Sequence, residues 1–233
     1  MKIGGMVVVF GLLLVANTVL AAKNMELKTP KDKASYAIGM DMGNSLKKNG
    51  VDVNPDALAK ALKDVLTEQK TQLTDQEAGT ILADMQKEMQ GKRQEKLKIQ
   101  GEKNKNEGTA FLAENLNKEG VKTLPSGLQY KVLTEGNGKS PSATDTVTVQ
   151  YTGRLVDGTE FDSSYKRGQA ATFALNGVIK GWTEALQLMK EGSKWQLFLP
   201  SALAYGETGT VGGPIGPNAV LVFDVELVSI QAK

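Results

Sequence analysis

The sequence predicts an α+β protein: an all-α region and a long connecting helix, followed by a curved antiparallel β-sheet wrapped on one short helix. Three observations carry this reading. In the first half of the chain, large apolar residues recur three or four positions apart, the spacing of one helix face. In the second half they alternate with polar residues, the spacing of a half-buried strand. The glycines and prolines change with them: residues 119–233 hold 15 of the 25 glycines, five of the seven prolines and both tryptophans. One helix against such a sheet is an α+β layer arrangement.

The elements follow in order. Lys2 precedes an apolar run from Met6 to Ala16, and Val19-Leu20-Ala21-Ala22 offers small residues for cleavage. The run is short for a membrane span, so residues 1–22 read as a secretory signal, with an uncleaved anchor as the alternative. A first helix is expected over 33–48, with Tyr36, Met40, Gly43 and Leu46 near one face, stopped by Asn49-Gly50. Asn54-Pro55 opens a second helix to about residue 69, as N-cap and first helical position, with Leu58, Leu62, Val65 and Leu66 as its stripe. These two helices bury little alone. Either a second copy covers them, making 23–70 a dimerisation domain, or they pack on the β domain.

Thr74-Asp75-Gln76-Glu77 is a capping-box pattern opening a third helix, and 71–118 is read as the connecting helix. Between Lys87 and Glu107, 11 of 21 residues are charged. A helix polar all round bridges solvent between domains. Gly91 and Gly101 each cost about 1 kcal/mol there against Ala, so bending, fraying or a partly disordered linker is the alternative.

Residues 119–233 form the last domain. Strands are expected at 128–133, 147–151, 152–156, 159–162, 172–175, 194–199 and 220–230, with a helix from Trp182 to Lys190. Asp157-Gly158 signals a two-residue type I′ hairpin turn. A Gly- and Pro-rich loop runs from Ala202 to Asn218, and long irregular loops in compact domains are functional or mobile. It is no phosphate loop, because no Gly-Lys-Ser/Thr and no following helix are present.

Composition removes several chemistries. The chain has 233 residues, 40% hydrophobic and 23% charged, so wholesale disorder is excluded. A net charge of +2 gives no footprint for nucleic acid. Cysteine and histidine are both absent, which excludes Cys and His nucleophiles, thiolate or imidazole metal sites and a Ser-His-Asp triad. No metal site and no cofactor are expected.

Five motifs now stand in order: Val149-Gln150-Tyr151-Thr152-Gly153; Gly158 through Phe161-Asp162-Ser163-Ser164; Val178-Ile179-Lys180-Gly181-Trp182; Ala204-Tyr205-Gly206; and Leu221 through Leu227. Over about Leu124 to Ile230 they closely resemble the FKBP-type peptidyl-prolyl isomerases. The signal, the helical region and the charged helix, with Ser35-Tyr36-Ala37-Ile38-Gly39 and Gly50-Val51-Asp52, resemble the family's Mip-type bacterial subgroup. That resemblance implies an exported homodimer, in the periplasm or at the outer membrane or cell surface of a Gram-negative bacterium. It implies proline-containing unfolded or exported polypeptides as partners, and ligands of the FK506/rapamycin type.

The resemblance also implies a pocket between sheet and helix. Tyr151, Phe161, Asp162, Tyr205 and Phe223 carry the catalytic role. Arg167, Phe173, Val178, Ile179, Trp182 and Ile215 bind substrate, with Trp182 as floor. The Ile179 backbone N–H and the Tyr205 hydroxyl meet ligand carbonyls, and Asp162 pairs with Arg167 and orients Tyr151. Ala171 stands where many members carry Phe. The loop at Gly212-Gly213 is one residue longer than in the smallest members, and Gly216 replaces a common Pro. Read without the resemblance, Asp162 is also a turn former, Arg167 a solvated cation, and Trp182 and Phe223 plain core.

Such a pocket needs no acid or base. The peptide-bond barrier of about 18–20 kcal/mol comes from amide resonance. The twisted form has lost that resonance and is less polar, so an apolar pocket favours it over water. The implied activity is X-Pro isomerisation with a folding-helper role. The alternative is a non-catalytic peptide-binding chaperone or adhesion module.

Overall fold

In the computed structural model, residues 26–231 are described, so the signal reading at 1–22 lies outside the described residues. The chain divides into two compact units between Thr74 and Asp75.

The first unit has two helices. Helix α1 (Pro30–Lys48) starts three residues before the expected Lys33. The cause is a capping box: Asp32 N–H donates to Thr29 Oγ1 at 3.1 Å, and Thr29 N–H donates to the Asp32 carboxylate at 2.9 Å. Together with Pro30 at the first position, these bonds satisfy donors that a helix start otherwise leaves orphaned. Helix α2 (Pro55–Leu66) is capped by Asn54, whose Oδ1 accepts from Asp56 N–H and Ala57 N–H. It ends at Leu66, three residues before the expected 69, and Glu68 follows with positive φ. Among the described residues of this unit only Asp64 is buried, and no apolar side chain is.

The second unit opens with α3 (Asp75–Asn115), 41 residues and about 60 Å long at 1.5 Å per residue. It is helical throughout, Gly91 and Gly101 included, so the alternative of a partly disordered linker does not describe residues 75–115. Residues 90–100 are all exposed, as a solvated helix requires. The remainder departs from that reading. Gly101, Gly108 and Asn115 are buried, seven residues apart and therefore on one face.

Seven strands follow: β1 (Val121–Thr123), β2 (Gln129–Thr134), β3 (Thr146–Leu155), β4 (Glu160–Ser163), β5 (Ala171–Ala174), β6 (Lys194–Leu199) and β7 (Leu221–Gln231). The sheet order is β1-β2-β6-β7-β3-β4, all neighbours are antiparallel, and β5 pairs with the first half of β3. The two strands expected at 147–151 and 152–156 are one strand, β3, which bends at register shifts by Thr148 and Gly153. Such irregularities curve a sheet. The Asp157-Gly158 turn differs from expectation. A type I′ turn needs positive φ at both central residues, but only Gly158 has it, at 87°. The loop is one residue longer: Gly158 N–H donates to Leu155 O, and Leu155 N–H to Thr159 O.

Helix α4 (Lys180–Leu188) lies against the sheet and buries Trp182, Ala185 and Leu186, with Met189 just beyond it. Close approach depends on Gly181, where a Cβ would stand 2.6 Å from Leu199 Cδ2. Its face and the inward residues of β3, β6 and β7 (Val147, Val149, Leu197, Leu199, Val225 and Leu227) make one apolar core. Among the described residues no helix is long and apolar enough to cross a membrane.

Candidate functional site

At one end of this core the aliphatic side chains give way to rings. Tyr151 on β3, Phe173 on β5, Trp182 on α4 and Phe223 on β7 converge, because each of the four elements turns one aromatic inward at the same level. Tyr151 and Trp182 meet edge to face with centroids 5.1 Å apart, and Trp182 and Phe223 at 5.3 Å. Phe173 meets Trp182 at 5.9 Å, and Phe161 on β4 meets Phe223 at 5.6 Å, both nearly perpendicular. Edge-to-face pairs of this kind add about 0.5–1.5 kcal/mol beyond their area. Trp182 is only 4% exposed, and its buried indole Nε1 has no acceptor among the described residues.

Val178, Ile179 and Ile215 belong to the same cluster, the first two half-buried and Ile215 buried. Ile179 is the N-cap residue of α4, and its N–H has no acceptor among the described residues. Ala171, half-buried on β5, packs against the cluster as well. Tyr205 is the exception among the expected residues. It stands outside the ring contacts, 39% exposed, and its hydroxyl has no partner among the described residues.

A charged group borders the rings. The Tyr151 hydroxyl donates to Asp162 Oδ2 at 2.5 Å, and Arg167 Nη2 donates to the Tyr151 oxygen at 2.8 Å. Arg167 Nη1 also pairs with Asp162 Oδ1. Burial pushes the Tyr151 phenol above its ordinary value of 10.0, and the bond to Asp162 adds to this. Burial also acts to raise Asp162. Hydrogen bonds from Tyr151 and Arg167 and the Arg167 charge outweigh it, so the carboxyl titrates below its ordinary 3.8. Bonds to Tyr151 and Asp162 push the Arg167 guanidinium up. Asp162 is therefore more than a turn former, and Arg167, though exposed, is tied rather than freely solvated.

Two positioning residues stand in the quoted motifs without having been assigned a role. Gly153 on β3 lies under the rings, where a Cβ would come within 2.7 Å of both Phe161 and Phe223. Ser164 is fully buried behind Tyr151: its Oγ accepts from Tyr151 N–H at 2.8 Å and donates to Gln150 Oε1. Gly153 is two residues from Tyr151 in the same motif, whereas Ser164, thirteen residues on, comes beside it only through the pairing of β3 with the end of β4.

The loop from Tyr205 to Asn218 is closed on itself. Asn218 N–H donates to Gly206 O at 2.9 Å, and Thr210 N–H donates to Ile215 O at 2.9 Å. Val211 at its tip is 97% exposed.

Comparisons with known proteins place relatives over both parts of the chain. Residues 31–132 match the family model described as the domain amino terminal to FKBP-type peptidyl-prolyl isomerase. Residues 137–228 match that of the FKBP-type peptidyl-prolyl cis-trans isomerase itself. An outer membrane protein MIP from Legionella longbeachae is 48% identical over 94% of either chain. A peptidyl-prolyl cis-trans isomerase Mip from Coxiella burnetii is 47% identical, over 89% of this chain and 90% of its own. The crystal structure of FkpA from Escherichia coli superposes with a TM-score of 0.66 at 38% identity, covering 88% of this chain and 99% of that one.

Proposed function

Because the chain belongs to the FKBP-type peptidyl-prolyl cis-trans isomerase family, we propose that its aromatic pocket is where it accelerates X-Pro rotation in unfolded or exported polypeptides. The observation that carries this assignment is the ring cluster of Tyr151, Phe173, Trp182 and Phe223, bordered by the Tyr151–Asp162–Arg167 group. The proline ring enters over Trp182. The amide leaves water for an apolar wall, which disfavours the polar planar form and favours the twisted one. The Ile179 N–H and the Tyr205 hydroxyl, neither of which has an acceptor within the described residues, supply donors for peptide carbonyls. No bond is made or broken. A tenfold acceleration needs only about 1.4 kcal/mol of differential binding.

The test is exchange NMR on a proline peptide with the mature chain, Tyr205→Phe and Asp162→Ala. Acceleration by the unaltered chain that falls in both variants supports the assignment. A folded chain that accelerates nothing leaves a non-catalytic peptide-binding module as the better reading. Competition by an FK506-type ligand reports on the same pocket.

The first unit supports a second part of the proposal, a homodimer through residues 23–70. Tyr36, Ile38, Met40, Val65 and Leu66 are each more than half exposed there, and Met42, Leu46 and Leu58 line an apolar groove between α1 and α2. A second copy of the same two helices supplies a matching apolar face. The domain division follows: 23–70 for association, 71–118 as connector, 119–233 for catalysis. An exported location suits the Lys2-led apolar N-terminus.

A further inference from the structure

Helix α3 packs against its own unit at its C-terminal end. Its C-terminal part presents Gln100, Gly101, Asn104 and Gly108 to the foot of the pocket loop. Asn104 Nδ2 donates to Pro217 O at 2.7 Å. In the other direction, Asn218 Nδ2 donates to Gly101 O at 3.3 Å. The helix comes this close because it is bare at two points. A Cβ on Gly101 would stand 3.1 Å from Pro217 Cβ, and one on Gly108 2.6 Å from Val220 Cγ2. The loop is bare where it meets them: a Cβ on Gly216 would stand 2.6 Å from Gln100 Nε2 and 3.1 Å from Asn104 Nδ2. The glycine at 216 thus has a physical reason, since the helix amides occupy the space a side chain would need.

These contacts lead to the pocket in two short steps. Asn218 is held with positive φ, 57°, and its backbone N–H ties Gly206, the neighbour of Tyr205. Gly216 is the neighbour of Ile215, which is buried in the aromatic cluster. We propose that the C-terminal part of α3 is a positioning element of the pocket: Asn104 and Asn218 fix the foot of the loop and thereby hold Tyr205 and Ile215 in place. Asn104 touches no substrate. It acts through the backbone of Pro217, and the proposal rests on the isomerase reading of the pocket. Supporting groups of this kind set how accurately a site is held, and a loop anchored before substrate arrives loses less freedom on binding.

The experiment uses the full chain carrying Asn104→Ala together with Asn218→Gly. Alanine favours the helix, and glycine admits the positive φ and keeps the backbone N–H at 218, so both side-chain ties are lost; Asn104→Ala alone, which leaves the backbone at 218 untouched, separates the tie from the added freedom of glycine. Lys103→Ala, on the exposed side of α3, is the control. Two quantities are read: amide hydrogen exchange at position 218, with Val225 on β7 as reference, and KM and kcat for a proline peptide. The expected result is exchange at 218 faster by about tenfold or more with Val225 unchanged, and KM raised severalfold with a smaller change in kcat. Unchanged protection at 218 overturns the proposal. So does lost protection with unaltered kinetics, which would make the ties structural only. If the unaltered chain accelerates no exchange, the isomerase reading fails. Affinity for the same peptide, measured on the same variants, then takes the place of KM and decides the positioning role.

Discussion

Gly153 supports Phe161 from below: the ring edge lies where a Cβ would be, 2.7 Å from the ideal position. Phe223 leans on the same bare backbone from the other side. Two of the five pocket rings therefore take their places from an atom that is missing.

Gly153→Ala is expected to force both rings outward. Overpacking at a buried site costs about 1–3 kcal/mol. The displaced rings should also lower kcat/KM for a proline peptide by more than the stability loss alone explains. Thermal unfolding and exchange NMR on one sample check this. Unchanged turnover in a destabilised, folded protein would separate the rings from catalysis.

Acid should loosen the border of the pocket. The Asp162 pKa is depressed in the folded state, so its contribution to stability is present above the ordinary carboxylate value of 3.8 and is lost as pH falls through the lower folded value. An Asp162→Asn protein should lack that part of the acid dependence, as read by denaturant midpoints across pH 2 to 5. At the alkaline end the signs reverse. The Tyr151 pKa is raised, so its contribution persists below the ordinary 10.0 and is lost as pH rises through the higher folded value. Ultraviolet titration should show late phenols for Tyr151 and for Tyr165, which burial and the Glu226 charge also push up, and Tyr151→Phe should remove one of the two.

Gly108→Ala opposes two effects. The helix gains about 1 kcal/mol of propensity, but the new methyl overlaps Val220 Cγ2. Val220 directly precedes β7, whose ladder leaves it little room. The overlap should win, with a net loss of about 1–2 kcal/mol in unfolding free energy. Gly91→Ala, with nothing within 4 Å of the new atom, should be stabilising. The contrast between the two glycines tests whether α3 is held where the structure places it.

The groove between α1 and α2 gives the fourth expectation. Met42→Glu puts a charge among Leu46, Leu58 and Val51. Sedimentation equilibrium should show the unaltered chain as a dimer and the variant as a monomer at micromolar concentration. Turnover of a short peptide should be unchanged, because the pocket lies wholly within the second unit. A monomeric unaltered chain would sink the association reading.

Much of this was legible in local pattern. Strand alternation located β6 and β7 and, as two pieces, β3, and Trp182, Ala185, Leu186 and Met189 recur at helical spacing as the buried face at α4. Four of the five rings, Tyr151, Phe161, Trp182 and Phe223, stand within the ordered motifs, whereas Phe173 lies between two of them. The contact face of α3 was not legible, for a definite reason. Hydrophobic periodicity scores large apolar residues, whereas this face is built from Gly101, Asn104, Gly108 and Asn115. At residue 101 the missing side chain reads as helix weakness, yet it is what permits contact. Asn115 is nearly fully buried because Gln129 on β2 takes its amide at 2.9 Å, a partner fourteen residues away that no local window pairs with it. β1 escaped notice because three residues carry no period.

The place of β7 in the sheet has a consequence for how the protein comes into being. It is the last strand in chain order, yet it lies between β6 and β3. Until residues 221–231 have been synthesised, no strand pairing can join the group β1, β2 and β6 to the group β3, β4 and β5. Phe223 arrives with that strand, so the pocket has no fourth wall before then. Pairings this distant in sequence make a slow folder. A nascent chain stays open until its final strand inserts, and the machine that turns prolines in other chains cannot assist its own first folding.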